Sequence, residues 1–570
     1  MDKDGGWLAE GAYDDFVRPL CSSDPRLRQR DPKAQIQRIP FTDDGVRVVK
    51  LSLGDNGTFI RTAQFEEPAD LETHLHYNIA SQQGQQGQQG QQNIYILEGL
   101  GPGFAGVFGH HFSLHPSVFV EHERVVVHNV NWTGESDGAQ LPSVVRSRGH
   151  VEMKYYEVVT FDTRPTSFRW VCAATGRHIG VSREFRWDNS PDDEFDRFLN
   201  VGVVRRKCGV WSRRTGGGGW DCLVLCDPPV RSVRTGDDYK IEHPVKTWPY
   251  QGGYLDFVPE ESQISIARER GSNHSHHCGP PRTSMLEDLA FYLETHAGLV
   301  DTAESESVVN VFVSKIVASH LLKQTEHLRA TLSAVQRGLT RKQDLAKLPM
   351  TKVEALWSDM QGWERRTGEY LEDVEGIMLQ IGIPLSPTQP PATGSTAPPI
   401  GIPPQPGSGP GPKTGPERSN VTAWSDSSAD FQFLHLRFRE LRHRTEMLNA
   451  AVTGLAGITG NRQAYKEQQR SIREAKSTKA VTLLGLVFIP LAYTASVFSI
   501  EKPFGPGGEL FWVYFVTSAP LILVVMVGYY VLDFGYNDDG RAWSVDTFAK
   551  SVGERVPGLK RRDLGRRLVG

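Results

Sequence analysis

The densest group of potential metal ligands in the sequence is Asn273-His-Ser-His-His-Cys278, which places imidazoles and a thiol side by side. Such side chains suit zinc-type ions, but a closed site needs four ligands at defined spacings. No second cluster completes this one, so it reads as a polar loop ahead of Pro280 and Pro281, with adventitious metal affinity as the alternative. His110, His111, His115 and His122 match no compact metal spacing and read as surface histidines. Cys222 and Cys226 lie four apart in an apolar run, hence on one face of a strand. They read as small core fillers, the alternative being a metal or redox pair. Gly101-Pro-Gly-Phe-Ala-Gly106 has the form G-x-G-x-x-G. A dinucleotide loop of that form needs a helix opening onto it, so that backbone amides meet a pyrophosphate. Pro102 and the broken run after it fit that poorly and favour a plain strand-to-helix turn. No nucleophile–base pair stands out, so no catalytic residue is assigned and an enzyme is the weakest reading.

The elements that must position these residues fall into blocks along the 570 residues. Net charge is -4, which gives no global basic field for nucleic acid. Mean hydropathy is -0.38, as for a mostly soluble chain. Six thinly spread cysteines suit a reducing compartment rather than a disulfide scaffold. The start, MDKDGGWLAEGAYDDF, is polar and acidic, and no cleavable signal peptide is expected there.

Residues 1–45 read as a polar, loosely ordered segment. Residues 46–282 read as an α/β domain interrupted by a Gln/Gly insert at 82–92. Within it, residues 45–63 suggest a strand pair turning at Asp55-Asn56-Gly57, and Asn93-Ile-Tyr-Ile-Leu97 a buried strand. A hairpin is expected around residues 215–219. From Thr283 the period becomes helical, giving long helices to about residue 383, and residues 384–417 form a Pro-rich linker able to dock partners. Residues 425–478 read as a stalk helix. Phe431, Leu434, Phe438, Leu441, Thr445, Leu448, Val452 and Leu455 follow the 3,4 spacing of a coiled-coil seam. That seam favours symmetric self-assembly, the alternative being packing within one subunit.

Residues 479–500 and 510–532 are two apolar runs of roughly 20 residues, the length of helix that crosses ~30 Å of hydrocarbon. The loop between them, 501–509, is short, so they read as an antiparallel transmembrane hairpin, with buried helices of a soluble protein as the alternative. Arg462, Lys466, Arg470, Arg473, Lys476 and Lys479 precede the first run, and a basic tail, 533–570, follows the second. This bias puts both termini on the cytosolic side.

A large soluble α+β part, long helices, a stalk running into the membrane and a C-terminal two-helix hairpin resemble the CorA family of pentameric magnesium and divalent-cation transporters. Val487-Phe-Ile-Pro-Leu-Ala-Tyr493 is similar to the family's first transmembrane helix. Glu98-Gly-Leu, Leu114-His-Pro-Ser-Val-Phe119 and Glu121-His122 are similar to the opening of its soluble domain. The likeness is strongest over residues 425–535 and weaker over 90–380, and the two inserts give the chain a eukaryotic, fungal look.

The resemblance implies a homo-oligomer in a lipid bilayer that passes Mg2+ or another divalent cation, with no other cofactor. It places a pore-lining face on Thr478, Val481, Thr482, Gly485, Ile489, Ala492, Ser496 and Ser499, where Ile489 is the apolar constriction. The same small and hydroxyl-bearing stripe also suits ordinary helix–helix packing in membranes. The family ends this span with Tyr-Gly-Met-Asn. Here the outer mouth carries Phe498, Ser499, Ile500 and Glu501, which makes Glu501 the candidate metal ligand. Asp192, Asp193 and Glu194 are candidates for sensing cations, with a polar turn as the plainer reading. The loss of Gly-Met-Asn also admits a second function, a non-conducting membrane-anchored scaffold or signalling protein that keeps the fold.

Overall fold

The computed structural model describes residues 11–23, 42–54, 57–83, 90–123, 149–163, 170–181, 200–215, 218–235, 241–258, 279–300, 305–341, 350–385, 425–499 and 506–535. The chain divides into two compact units, Met1–Ala456 and Gly457–Gly570.

The N-terminal unit is a mixed α+β structure. Its sheet holds β1 (Arg47–Leu53), β2 (Phe59–Phe65), β3 (Gln92–Glu98), β4 (His150–Phe161), β5 (Trp170–Cys172), β6 (His178–Val181), β7 (Val201–Arg214), β8 (Trp220–Cys226), β9 (Ser232–Thr235), β10 (Ile241–Pro244) and β11 (Thr247–Pro249). The order runs β10-β9-β5-β6-β7-β8-β3-β1-β2, with β4 paired to β7 and β11. β3 and β8 form a parallel pair, Ile94 opposite Cys222 and Ile96 opposite Val224. β7 and β8 form the expected hairpin, closed by Thr215 N–H donating to the Gly219 carbonyl at 2.9 Å. The expected β1–β2 pair also forms.

The central strands are buried on both faces, which is why NIYIL and CLVLC read as continuous apolar runs rather than alternating ones. One face presents Val48, Tyr95, Leu97, Leu223 and Leu225 to α1 (Ala12–Ser23), α2 (Pro68–Gln83), α3 (Pro102–Phe112) and α4 (Ser117–Glu123). The other presents Val49, Ile94, Ile96, Cys222, Val224 and Cys226 to α5 (Met285–His296) and to the long helices α6 (Ser305–Arg341) and α7 (Met350–Ile381). Cys222 and Cys226 are therefore core fillers on one face, and both are free thiols. The reading of residues 1–45 as loosely ordered needs a correction. Tyr13 and Val17 of α1 are fully buried, and the Tyr13 hydroxyl donates to the Leu114 carbonyl at 2.8 Å.

α8 (Ser427–Phe498) begins in this unit. Its seam residues Phe431, Leu434, Phe438, Leu441, Thr445, Leu448, Val452 and Leu455 are all buried. Their partners are in the same chain. Phe438 meets the Tyr370 ring of α7, and Lys315 of α6 pairs with Asp430 at 2.5 Å. His435 pairs with Glu375 at 3.0 Å, and the Trp357 indole donates to the Thr453 hydroxyl at 3.2 Å. The expectation that this seam joins copies is corrected, because α6 and α7 already occupy it.

The C-terminal unit holds the rest of α8 and α9 (Trp512–Gly535). Both helices are long and apolar enough to cross a membrane. Only 11% of the apolar window of α8 and 6% of that of α9 is buried, which sets them apart from core helices of a soluble protein.

Candidate functional site

Two places gather the residues singled out above. The first is the apolar end of α8, where the helix has two distinct faces. Pro490 and Thr494 are buried against α9. The Thr494 hydroxyl donates to the Pro490 carbonyl at 3.0 Å and lies 2.7 Å from the hydroxyl of Ser518, which is itself buried. Tyr514 donates to the Leu491 carbonyl at 3.3 Å. In hydrocarbon each such hydroxyl needs a partner, and these satisfy one another.

Roughly opposite, at 100° per residue, lies the stripe named from the sequence. Thr478, Val481, Thr482, Ile489, Ala492, Ser496 and Ser499 are exposed, and Gly485 is half-buried. Ile489 is 70% exposed. A Cβ added at Gly485 would meet nothing within 4 Å, so packing inside the subunit gives no reason for a glycine there. Within one hairpin the stripe is thus not the packing face. Its hydroxyls donate backward along the helix, Thr482 to the Thr478 carbonyl, Thr478 to the Glu474 carbonyl and Ser499 to the Ser496 carbonyl, each at 2.9 Å. Their oxygen lone pairs therefore remain available on the outer side as acceptors. Water around a cation points its hydrogens outward, so such acceptors suit a hydrated cation. Ile500 and Glu501 lie outside the described residues.

The second place is a buried ionic cluster beneath α4. His122 Nδ1 lies 3.3 Å from Glu152 and Nε2 lies 3.5 Å from Asp227. Arg177 donates to Asp227 and to the His122 carbonyl, and the Lys207 backbone N–H donates to Asp227 at 2.7 Å. Burial alone would raise both carboxyls. It is outweighed by His122, Lys207 and Arg177 at Glu152, and by Arg177, His122 and Arg206 at Asp227, so both lie below their ordinary values. The reading of His122 as a surface residue is corrected, since it is 2% exposed. The two carboxylates sit on opposite sides of the imidazole, which suits docking of α4 and not chelation. Among the described residues no group of His, Cys, Asp or Glu could hold a metal. A cavity of about 410 Å³ opens beside the cluster, lined by His122, Arg177, Asp227, Arg231, Arg234 and Glu242 among others.

The glycine motif resolves into local packing. α3 does open at Pro102, but the Gly103 and Phe104 amides are taken by the Asp43 carboxylate at 3.0 and 3.3 Å. A side chain at Gly101 or Gly103 would collide with Asp43. A carboxylate of the same chain thus stands where a pyrophosphate would bind. His110 is exposed, while partial burial lowers His111 to about 4. The segments holding Asn273 to Cys278 and Asp192, Asp193 and Glu194 lie outside the described residues, as does most of the Pro-rich linker.

Asp43, Glu152, Asp227 and the Thr494–Ser518 pair escaped reading from the sequence. Asp43 is 60 residues from its partner Gly103, and no local pattern announces such long-range pairs. Thr494 and Ser518 did carry a signal, as hydroxyls off the named stripe within apolar runs. No protein-family model matches the sequence, and no curated protein matches it.

Proposed function

We propose that the chain is a CorA-like integral membrane protein that assembles as a homo-oligomer and passes divalent cations of the Mg2+ type down their gradient. The observation that carries this reading is the two-faced first apolar helix. One face is committed to α9, and the other, small and hydroxyl-bearing, is covered by nothing among the described residues except partly at Gly485. Two apolar helices cannot enclose a pore, so a conducting stripe requires further copies. The proposed role of Ile489 is an apolar gate, with Thr478, Thr482, Ser496 and Ser499 accepting hydrogen bonds from a cation's hydration water.

Insertion in a bilayer is supported by the ends of the hairpin. Phe511, Trp512 and Phe515 stand at one end of α9 and Tyr529 and Tyr530 at the other, with the Lys479 ammonium 5.9 Å from the Tyr529 ring centre. Aromatic rings and a snorkelling lysine in those places match the two interfaces of a membrane. The positive bias before α8's apolar run supports a cytosolic N-terminal unit.

The test is cation flux into liposomes together with the mass of the solubilised assembly. The reading expects an oligomer and Mg2+-type influx, faster with Ile489→Ala and slower with Glu501→Ala. A monomer, or no flux above empty vesicles, overturns conduction. The second reading, a non-conducting scaffold, is favoured by Ser499, Ile500 and Glu501 standing in place of Gly-Met-Asn. It expects an inserted protein with no flux and no response to either substitution.

A further inference from the structure

The helix immediately before the apolar run is exposed on every side, from residue 461 to residue 480. It is not uniformly charged. At roughly 100° per residue, Arg462, Lys466, Arg470, Arg473 and Lys476 fall within an arc of roughly 120°. Glu467 and Glu474 lie beyond one edge of that arc, on the side of the helix that continues into the Thr478–Ser499 stripe. The centre of the basic face is roughly 120° from that stripe and roughly 80° from the face holding Pro490 and Thr494. Charge on this helix is therefore sorted by direction, with acid towards the stripe and the basic arc centred away from both the stripe and α9; Lys476, at the edge of that arc, lies 18 residues before Thr494 and shares its direction.

Arg470 is engaged by Glu474 at 2.9 Å. Lys466, Arg473 and Lys476 make no ion pair among the described residues. With a rise of 1.5 Å per residue, Lys476 sits roughly 6 Å before the first apolar residue, Ala480, Arg473 roughly 10 Å and Lys466 roughly 21 Å. The first two side chains reach a phosphate layer bordering the hydrocarbon, whereas Lys466 lies beyond a Debye length of about 8–10 Å.

We propose that Arg473 and Lys476 form a site for the phosphate groups of anionic phospholipids in the leaflet that α8 enters. The inference rests on the membrane reading above, but not on conduction. Arg473 points away from the stripe and from the face that meets α9, Lys476 lies at the edge of that face, and α9 carries no carboxylate over Trp512–Val531 to pair with either. Beside the start of the span, the partner of opposite charge is then the lipid headgroup. Juxtamembrane cations near such a surface contribute about 1 kcal/mol each, which is about fivefold in affinity.

The experiment titrates the purified full-length protein in detergent with phosphatidylglycerol, phosphatidylcholine or soluble glycerol phosphate, counting bound molecules by native mass spectrometry. Carbonate washing of vesicles reports insertion separately. Expected is a preference for phosphatidylglycerol that falls roughly 25-fold in the R473Q/K476Q double variant and stays unchanged in K466Q. Equal binding of the two lipids overturns the proposal, as does a preference that the double variant leaves intact. Glycerol phosphate competing as strongly as the lipid would assign the site to free phosphate and overturn the lipid partner. Loss of the protein from washed vesicles would instead overturn the membrane reading itself.

Discussion

The two ends of α8 carry similar-looking patterns and meet opposite fates. Residues 431–455 repeat apolar side chains at 3,4 spacing; every one is buried, and Phe431 to Val452 share one core with α6 and α7 of the same chain. Residues 478–499 repeat small, hydroxyl-bearing and apolar side chains at 3,4 spacing, and these stay exposed apart from the half-buried Gly485. Spacing specifies a face and says nothing about who covers it.

The comparison is broken most sharply by cutting into the buried end. Phe438→Ala removes a fully buried ring and is expected to destabilise the N-terminal unit by about 3–5 kcal/mol, read as a lower thermal midpoint by circular dichroism. An unchanged midpoint would mean that the seam is not packed as described.

Acid tests the same bundle next. His320 of α6 is half-buried beside Tyr155 and Tyr254, His327 is buried beside Tyr250, and loss of water lowers both to about 4. A depressed histidine favours the neutral form in the folded chain. Stability is therefore whole above the ordinary value of about 6.5 and falls as pH drops towards 4, by up to about 3 kcal/mol for each histidine. Asp288 works in the opposite sense. Burial raises it to about 7, so its cost grows as pH rises from about 4 to 7. His320→Gln should flatten the acid limb of a urea-unfolding series, and an unaltered slope would show that His320 is not held neutral.

Smaller again is the helix cap at α3. Asp43→Ala frees two amides and should cost about 1 kcal/mol. Added phosphate or nucleotide then gains access to those amides, whereas in the native chain it should leave the thermal midpoint unmoved. The smallest effect belongs to the exposed end. Ile489→Ala should leave the thermal stability of the detergent-solubilised protein within about 0.5 kcal/mol, while altering flux under the proposed reading. A large stability loss would place Ile489 in a packed contact.

Much of the fold was legible because its periods are strong. The β1–β2 pair, the β3 strand, the β7–β8 hairpin, the long helices and both apolar runs follow from alternation, continuous apolar stretches or 3.6-residue spacing. Less legible were β9, β10 and β11, which are three or four residues long and carry too few side chains to show a period. α1 was missed because just a few apolar side chains, chiefly Tyr13 and Val17, anchor a polar helix. The ionic cluster was invisible for another reason: His122, Glu152, Arg177 and Asp227 come from separate elements and meet only once the sheet has formed.

By itself the sequence determined the hairpin of apolar helices, since length and lack of charge are local properties that no packing can revise. It also determined which residues share each helical face. Only the tertiary structure decided which faces were covered: the heptad seam by α6 and α7, the glycine turn by Asp43, His122 by two carboxylates, and Pro490 and Thr494 by α9. Coverage depends on segments far apart in the chain arriving at one place, and periodicity along a single segment holds no record of that arrival.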